Sequence, residues 1–154
     1  MGMADTMSSL YQRAVGWVAL LSPVADLALR FWVAKVFWQS GLTKIQSMYS
    51  TVGLFTYVYH VPVLSPEVAA YLATAVELTL PVLLLVGLGA RISAGILFVY
   101  NIVAVISYPG LGPDGVNQHV VWGMMLLVTL SHGPGALSVD HFIARWLRRR
   151  NNHG

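Results

Sequence analysis

The chain has 154 residues, of which 56% are hydrophobic and only 10% charged, with a formal net charge of +3. Soluble domains carry roughly 25% charged residues, and a chain this short has no core large enough to hide so much apolar surface, so the excess must face lipid. The basic balance does not indicate nucleic acid, because Arg145 and Arg148 to Arg150 gather at one end of the chain, as the positive-inside rule would place them.

The absence of cysteine excludes disulfides, thiol redox chemistry, thiolate metal sites and iron–sulfur ligation by this chain. The length predicts one folded unit, read as an N-terminal cytoplasmic or interfacial segment (1–25), a four-span membrane domain (26–135) and a basic cytoplasmic tail (136–154).

Residues 1–25 begin polar and turn apolar, with Arg13 ahead of AVGWVALLSPVA. A signal peptide would show the same order, but Pro-Val-Ala is a poor cleavage site and the next segment is itself a span. An interfacial helix carrying Tyr11 and Trp17 is expected instead. Asp26–Thr43 is the first span, carrying Arg30, Lys35 and Gln39 among aromatic residues, with Lys44 just beyond. Arg30 can snorkel to the near interface, whereas Lys35 lies too deep to do so easily. Ser40 and Gly41 form a small-residue pair that lets another helix approach closely.

Residues 45–67 form a polar and aromatic connection whose YVYHVPV run and two prolines predict extended or re-entrant backbone at the interface. Ala69–Leu88 is the second span, a twenty-residue apolar run covering roughly 30 Å, the thickness of a bilayer's hydrocarbon core. Its single carboxylate is Glu77, and an ionised Glu at that depth costs on the order of several kcal/mol unless a partner answers it. Pro81 removes the helical hydrogen bond to the Glu77 carbonyl and predicts a kink.

A tight turn at Gly87–Arg91 leads to the third span, Ile92–Tyr108, with Asn101 near its centre. PGLGPDGVNQ is a turn-rich loop without Lys or Arg. The fourth span runs from His119 to Leu130 and extends to about Gly133, where GPGA breaks it. Ser138 then reads as the cap of a juxtamembrane amphipathic helix, VDHFIARWLRRR. The basic residues fall on alternate connections, so both termini are expected to be cytoplasmic. The fold class is therefore all-α, an integral membrane four-helix bundle with an N-terminal interfacial helix and a C-terminal amphipathic helix.

Counted along alternating spans, Lys35, Glu77 and Asn101 each fall near the midplane, while Lys44, His60, Glu67, Tyr108 and His119 gather at the outer face. Three readings stay open for Glu77: an ion pair with Lys35 bridged by Asn101; a protonated carboxyl bonded to the Asn101 amide, with Lys35 turned elsewhere; or a proton or quinone site with Glu77 as the candidate catalytic residue. His119, one turn from Trp122, could bond a quinone carbonyl or ligate copper or haem. A lone His at a span mouth is more often an interface anchor, and His132 sits near the opposite end of the same span. Met124 and Met125 point to different helix faces and read as packing residues. His60, His119 and Glu67 could share a metal only if the first connection folds back, and no metal site is assigned. No nucleophile–base motif, phosphate loop or metalloprotease signature is present.

Three stretches resemble a known family. RFWVAKVFWQSGLTK, basic and aromatic residues leading to a Gly-x-x-Lys close, is similar to the first span of the DoxX family. ELTLPVLLLVGLGARISA is similar to its second, and GPGALSVDHFI to its Gly-x-Gly-x-x-Ser-x-Asp ending. YVYHVPVLSPEVAAYLATAVE resembles one subgroup, departing from it at Tyr59-His60, where an acidic-aromatic pair is expected. That departure weakens any outer-face carboxylate role.

The resemblance implies a multi-pass protein of the bacterial inner membrane. The family name comes from a membrane subunit of a thiosulfate:quinone oxidoreductase. Other members are accessory proteins in oxidative- or metal-stress systems, and the subgroup accompanies copper-binding peptide maturation proteins. Gly41, Lys44, Glu77, Arg91 and Asp140 match the family pattern.

The leading expectation is an accessory subunit working with redox or copper-handling partners, without autonomous catalysis. In it Lys35, Glu77 and Asn101 fix the bundle interior, and Lys44, His60, Tyr108 and His119 line an outer-face pocket. The alternative is a subunit of a quinone-reactive oxidoreductase with Glu77 as proton relay, quinone being the candidate cofactor. A small transporter ranks last, because the polar groups are too few to line a pathway. Expected partners are the lipid bilayer and a membrane or periplasmic protein, not nucleic acid; self-association is compatible with the sequence.

Overall fold

The computed structural model describes residues 3–151, so the extreme ends of the expected N-terminal segment and basic tail lie outside the described residues. Those residues form helices without a strand: α1 (Met3–Ala19), α2 (Ser22–Gln46), α3 (Met48–Tyr57), α4 (Pro66–Val86), α5 (Ala90–Ser107), α6 (Pro113–His132) and α7 (Val139–Asn151). Three stretches are long and apolar enough to cross a membrane: Leu10–Gln46, Pro66–Val86 and Ala90–Ser107. α6 packs beside them, although its first turns, PDGVNQH, are polar.

Prolines open α2, α4 and α6 at positions where the missing N–H costs nothing. α4 ends on Gly87 at φ +77°, and Gly89 at φ +57° starts α5, giving a turn of two left-handed glycines. Pro81 stays inside α4, its ring fully buried.

α2 packs on α4, α4 on α5, α5 on α6, and α6 closes the ring against α2. Val33, Phe37, Leu84, Leu97 and Leu126 fill the centre. Outward positions such as Ile92, Ile106 and Met124 remain exposed and apolar, as a lipid-facing surface requires. α2 and α4 approach closely at Gly41, where a Cβ would stand 2.9 Å from a methyl of Leu78 and 3.0 Å from the Glu77 Cβ.

The first connection holds a helix the sequence did not lead us to expect, residues 48–57, while the YVYHVPV run expected to be extended or re-entrant is non-helical beyond Tyr57. Ser47 turns extended at φ −150°, ends α2, and its hydroxyl accepts the Ser50 N–H at 3.2 Å, so one residue stops one helix and caps the next. Thr51 and Phe55 are then buried, Phe55 against Ala69, Ala70 and Ala73 of α4, and this burial overrides the weak helix propensity of MYSTVGLFTY. α2 thus stops short, and α3 covers the remainder of α4.

At the other end Arg30 is fully buried instead of snorkelling. It donates to the carbonyls of Leu84 (3.2 Å), Leu85 (2.8 Å) and Leu137 (2.6 Å), capping the negative end of the α4 dipole. The Asp140 carboxylate accepts the N–H groups of Gly89 (2.9 Å) and Ala90 (3.0 Å) at the α5 start, and the Asp140 N–H donates to Gly87 at 2.9 Å. Ser138 accepts the His141 N–H at 3.2 Å, the capping bond expected for α7. No residue of α7 is buried, and Tyr11 and Trp17 of α1 are likewise exposed.

Candidate functional site

Glu77 lies midway along α4 and is buried, and three side chains from α2 and α5 converge on it. Lys44 Nζ donates to Oε2 at 2.7 Å and to Ser40 Oγ at 2.7 Å. Ser40 Oγ donates onward to Oε1 at 3.1 Å, and the Tyr100 hydroxyl donates to the same oxygen at 2.6 Å. Both carboxylate oxygens accept and neither donates, the pattern of an ion pair with two supporting hydroxyls. Ser40 and Lys44 are four apart on α2 and so share a face, and Gly41 between them brings α2 close enough for that face to reach α4. Phe37 packs edge-on to Tyr100, ring centroids 6.1 Å apart, and orients it.

The partner of Glu77 is therefore Lys44, not Lys35. Depth counted along α2 assumes a straight crossing to the outer face, but α2 ends two residues past Lys44 and α3 roofs it over, leaving 15% of that side chain exposed. Lys35 is on the outward side of α2, exposed in a shallow groove with Phe31, Trp38 and Pro81. Asn101 is buried as expected but does not bridge Glu77. Its Nδ2 donates to the His119 carbonyl at 2.9 Å, and its Oδ1 meets His119 Nδ1 at 2.8 Å.

The cluster borders a cavity of about 640 Å³ walled mainly by apolar residues of α4 and α5, among them Leu72, Val76, Val99 and Val103. Lys44, Tyr108 and His119 of the expected outer-face pocket line it; His60 does not. The His60 side chain is exposed, and its backbone N–H is bonded to the Ser107 carbonyl at 2.7 Å. Tyr59 stands between Phe55 (5.1 Å) and Tyr108 (5.2 Å), both edge-to-face, and walls the cavity beside α3. Burial, reinforced by Tyr108 and by the Glu77 charge, pushes the Tyr59 hydroxyl above the ordinary tyrosine range.

Ser107 also lines the cavity, and its Oγ is buried and without a hydrogen-bond partner. Such an orphaned hydroxyl costs about 1–3 kcal/mol, which an oxygen of a bound molecule would offset.

Among the described residues no group of three or more His, Cys, Asp or Glu side chains is placed to hold a metal. Glu67 is exposed, and His132 is exposed at the far end of α6. Met125 packs against the core and Met124 faces outward.

Ser40, Tyr100 and Ser107 did not stand out in the sequence as site residues, and Tyr59 was marked only as a departure from the family subgroup. Ser40 was legible only as a small packing residue. Tyr100 was masked by the more conspicuous Asn101 beside it.

The family model described as DoxX matches residues 25–109, more than half of the chain. The chain belongs to the DoxX family. No curated protein and no solved structure matches it. With three apolar stretches of spanning length, this DoxX member is a multi-pass membrane protein. Of the positions fitting the family pattern, Gly41, Lys44 and Glu77 meet at the ion pair. Arg91 and Asp140 serve the opposite end, Arg91 donating to the His132 carbonyl at 3.3 Å and Asp140 capping α5.

Proposed function

We propose that this DoxX protein is a bacterial inner-membrane subunit that holds a quinone-type lipophile in the α4–α5 cavity and works with a redox partner. The observation that carries this reading is the cavity itself: about 640 Å³, apolar along its walls, with Lys44, Tyr100 and Ser107 among the residues that line it. Ligand sites for small apolar molecules occupy roughly 300–1,000 Å³ and place a few polar groups among apolar walls. A quinone supplies reversible two-electron, two-proton chemistry when bound. Here Lys44 and Ser107 would orient its oxygens, and the apolar walls would take its chain.

Glu77 holds Lys44 in place and, through Tyr100, ties α2 and α4 to α5. Without cysteine the chain offers neither thiol redox chemistry nor iron–sulfur ligation, so in this reading a membrane or periplasmic partner exchanges the electrons. α6 is the fourth crossing, both termini are cytoplasmic by the distribution of Arg13, Arg91 and Arg145 to Arg150, and α1 and α7 lie along the inner surface.

One observation favours a second reading, an accessory subunit whose polar cluster is purely structural: every oxygen of Glu77 is satisfied within the chain. Native mass spectrometry of gently solubilised protein separates the two. The site reading expects a co-purifying prenylated quinone that Ser107→Phe displaces while the fold persists. A quinone-free protein that keeps a bound partner would contradict it and support the accessory role.

A further inference from the structure

Asn101 fixes the hydrogen positions on a group that borders the cavity. Its Nδ2 donates to the His119 carbonyl at 2.9 Å, and because a carbonyl only accepts, this bond settles which end of the amide is nitrogen. Oδ1, also only an acceptor, then faces His119 Nδ1 at 2.8 Å, so Nδ1 carries the hydrogen. In the neutral ring Nε2 is left with a bare lone pair. It has no partner among the described residues, and His119 lines the cavity while Asn101 does not. Trp122 packs edge-to-face on the imidazole at 4.8 Å and holds its orientation.

Of the other polar groups on the wall, the Glu77 carboxylate is already engaged by Lys44, Ser40 and Tyr100. The Tyr59 and Tyr108 hydroxyls can donate or accept, and Lys44 and Ser107 do not discriminate between oxygens. The Lys44 ammonium has three hydrogens, two of them spent on Ser40 and Glu77, and the third suits a hydroxyl or a carbonyl equally. The Ser107 hydroxyl can donate or accept. His119 Nε2 differs from both, since it can only accept.

We propose that His119 Nε2 is the specificity-determining acceptor by which the cavity prefers the hydroxyl-bearing, reduced form of its ring ligand over the oxidised form. A hydroquinone O–H donates to Nε2; a quinone carbonyl in the same place sets two lone pairs against each other and leaves Nε2 unsatisfied. The proposal rests on the cavity reading above and adds to it the redox form that is held.

The test uses the full chain in nanodiscs under anaerobic conditions, titrated with a short-chain alkylated benzoquinone and with its hydroquinone. The hydroquinone is expected to bind about tenfold more tightly, the effect of one well-placed hydrogen bond against an unpaired acceptor. His119→Phe should bring the two affinities together by weakening the hydroquinone alone.

Because that variant also removes the Asn101 contact, nitrogen-15 spectra of histidine-labelled wild-type protein supply a second readout. They should show a protonated Nδ1 and a bare Nε2 whose resonance moves with hydroquinone and not with quinone. Equal affinities in the wild type, or a hydrogen on Nε2 in place of Nδ1, would overturn this proposal alone. Failure of both compounds to bind would overturn it together with the cavity reading.

Discussion

Lys44 and Glu77 form a desolvated ion pair whose stability comes from geometry rather than from charge alone. Removing two ions from water costs several kcal/mol each, and their attraction offsets this only when the remaining donors and lone pairs are also satisfied. Ser40 and Tyr100 meet that condition. Truncating one partner, as in Lys44→Met, should therefore destabilise the protein by roughly 3–5 kcal/mol in detergent unfolding titrations, because the other charge is left unanswered. The paired replacement Lys44→Met with Glu77→Leu should recover most of that loss; a double variant as unstable as the sum of the singles would contradict the pairing. Lys35→Met, by contrast, should leave the cluster intact. That Glu77 needs a cation was legible from a carboxylate in an apolar run. Which lysine supplies it was not, because the choice turns on where α2 stops.

At the scale of elements, the stop at Ser47 decides the site. The spans themselves could be read from apolar run length, prolines and glycines, since each signal is local in the chain. α3 could not, because its β-branched and aromatic residues favour extended backbone and only burial of Thr51 and Phe55 against α4 makes it helical. Gly41 is the other controlling element. Its missing side chain sets the distance between α2 and α4, with Leu78 and Glu77 directly opposite. Gly41→Val should cost about 1–3 kcal/mol by overpacking and should weaken ligand retention along with stability. A Gly41→Val protein with wild-type unfolding behaviour would show that the helices stand further apart than described.

For the whole molecule, two polar ties, one at an end of the bundle and one midway along α4, bracket an apolar core. Arg30 and Asp140 lock the ends of α2, α4, α5 and α7 together through backbone carbonyls and N–H groups. Lys44, Glu77 and Tyr100 join α2, α4 and α5 at mid-depth. The cavity lies beside this second tie, with apolar residues of α4 and α5 forming most of its wall and Lys44 and Glu77 among the residues that line it. Composition announced the membrane, and the three family-like motifs announced the fold. The cavity was legible only as an outer-face pocket holding Lys44, Tyr108 and His119; the rest of its wall was not, because the lining comes from five helices and the α3–α4 connection. Photolabelling in native membranes with an azido-quinone addresses that space most directly. The account predicts cross-links to α4 and α5 at the half-buried Val76 and Val103, abolished by excess unlabelled quinone. Labelling spread over outward positions such as Ile92 and Met124, and unmoved by competitor, would contradict it.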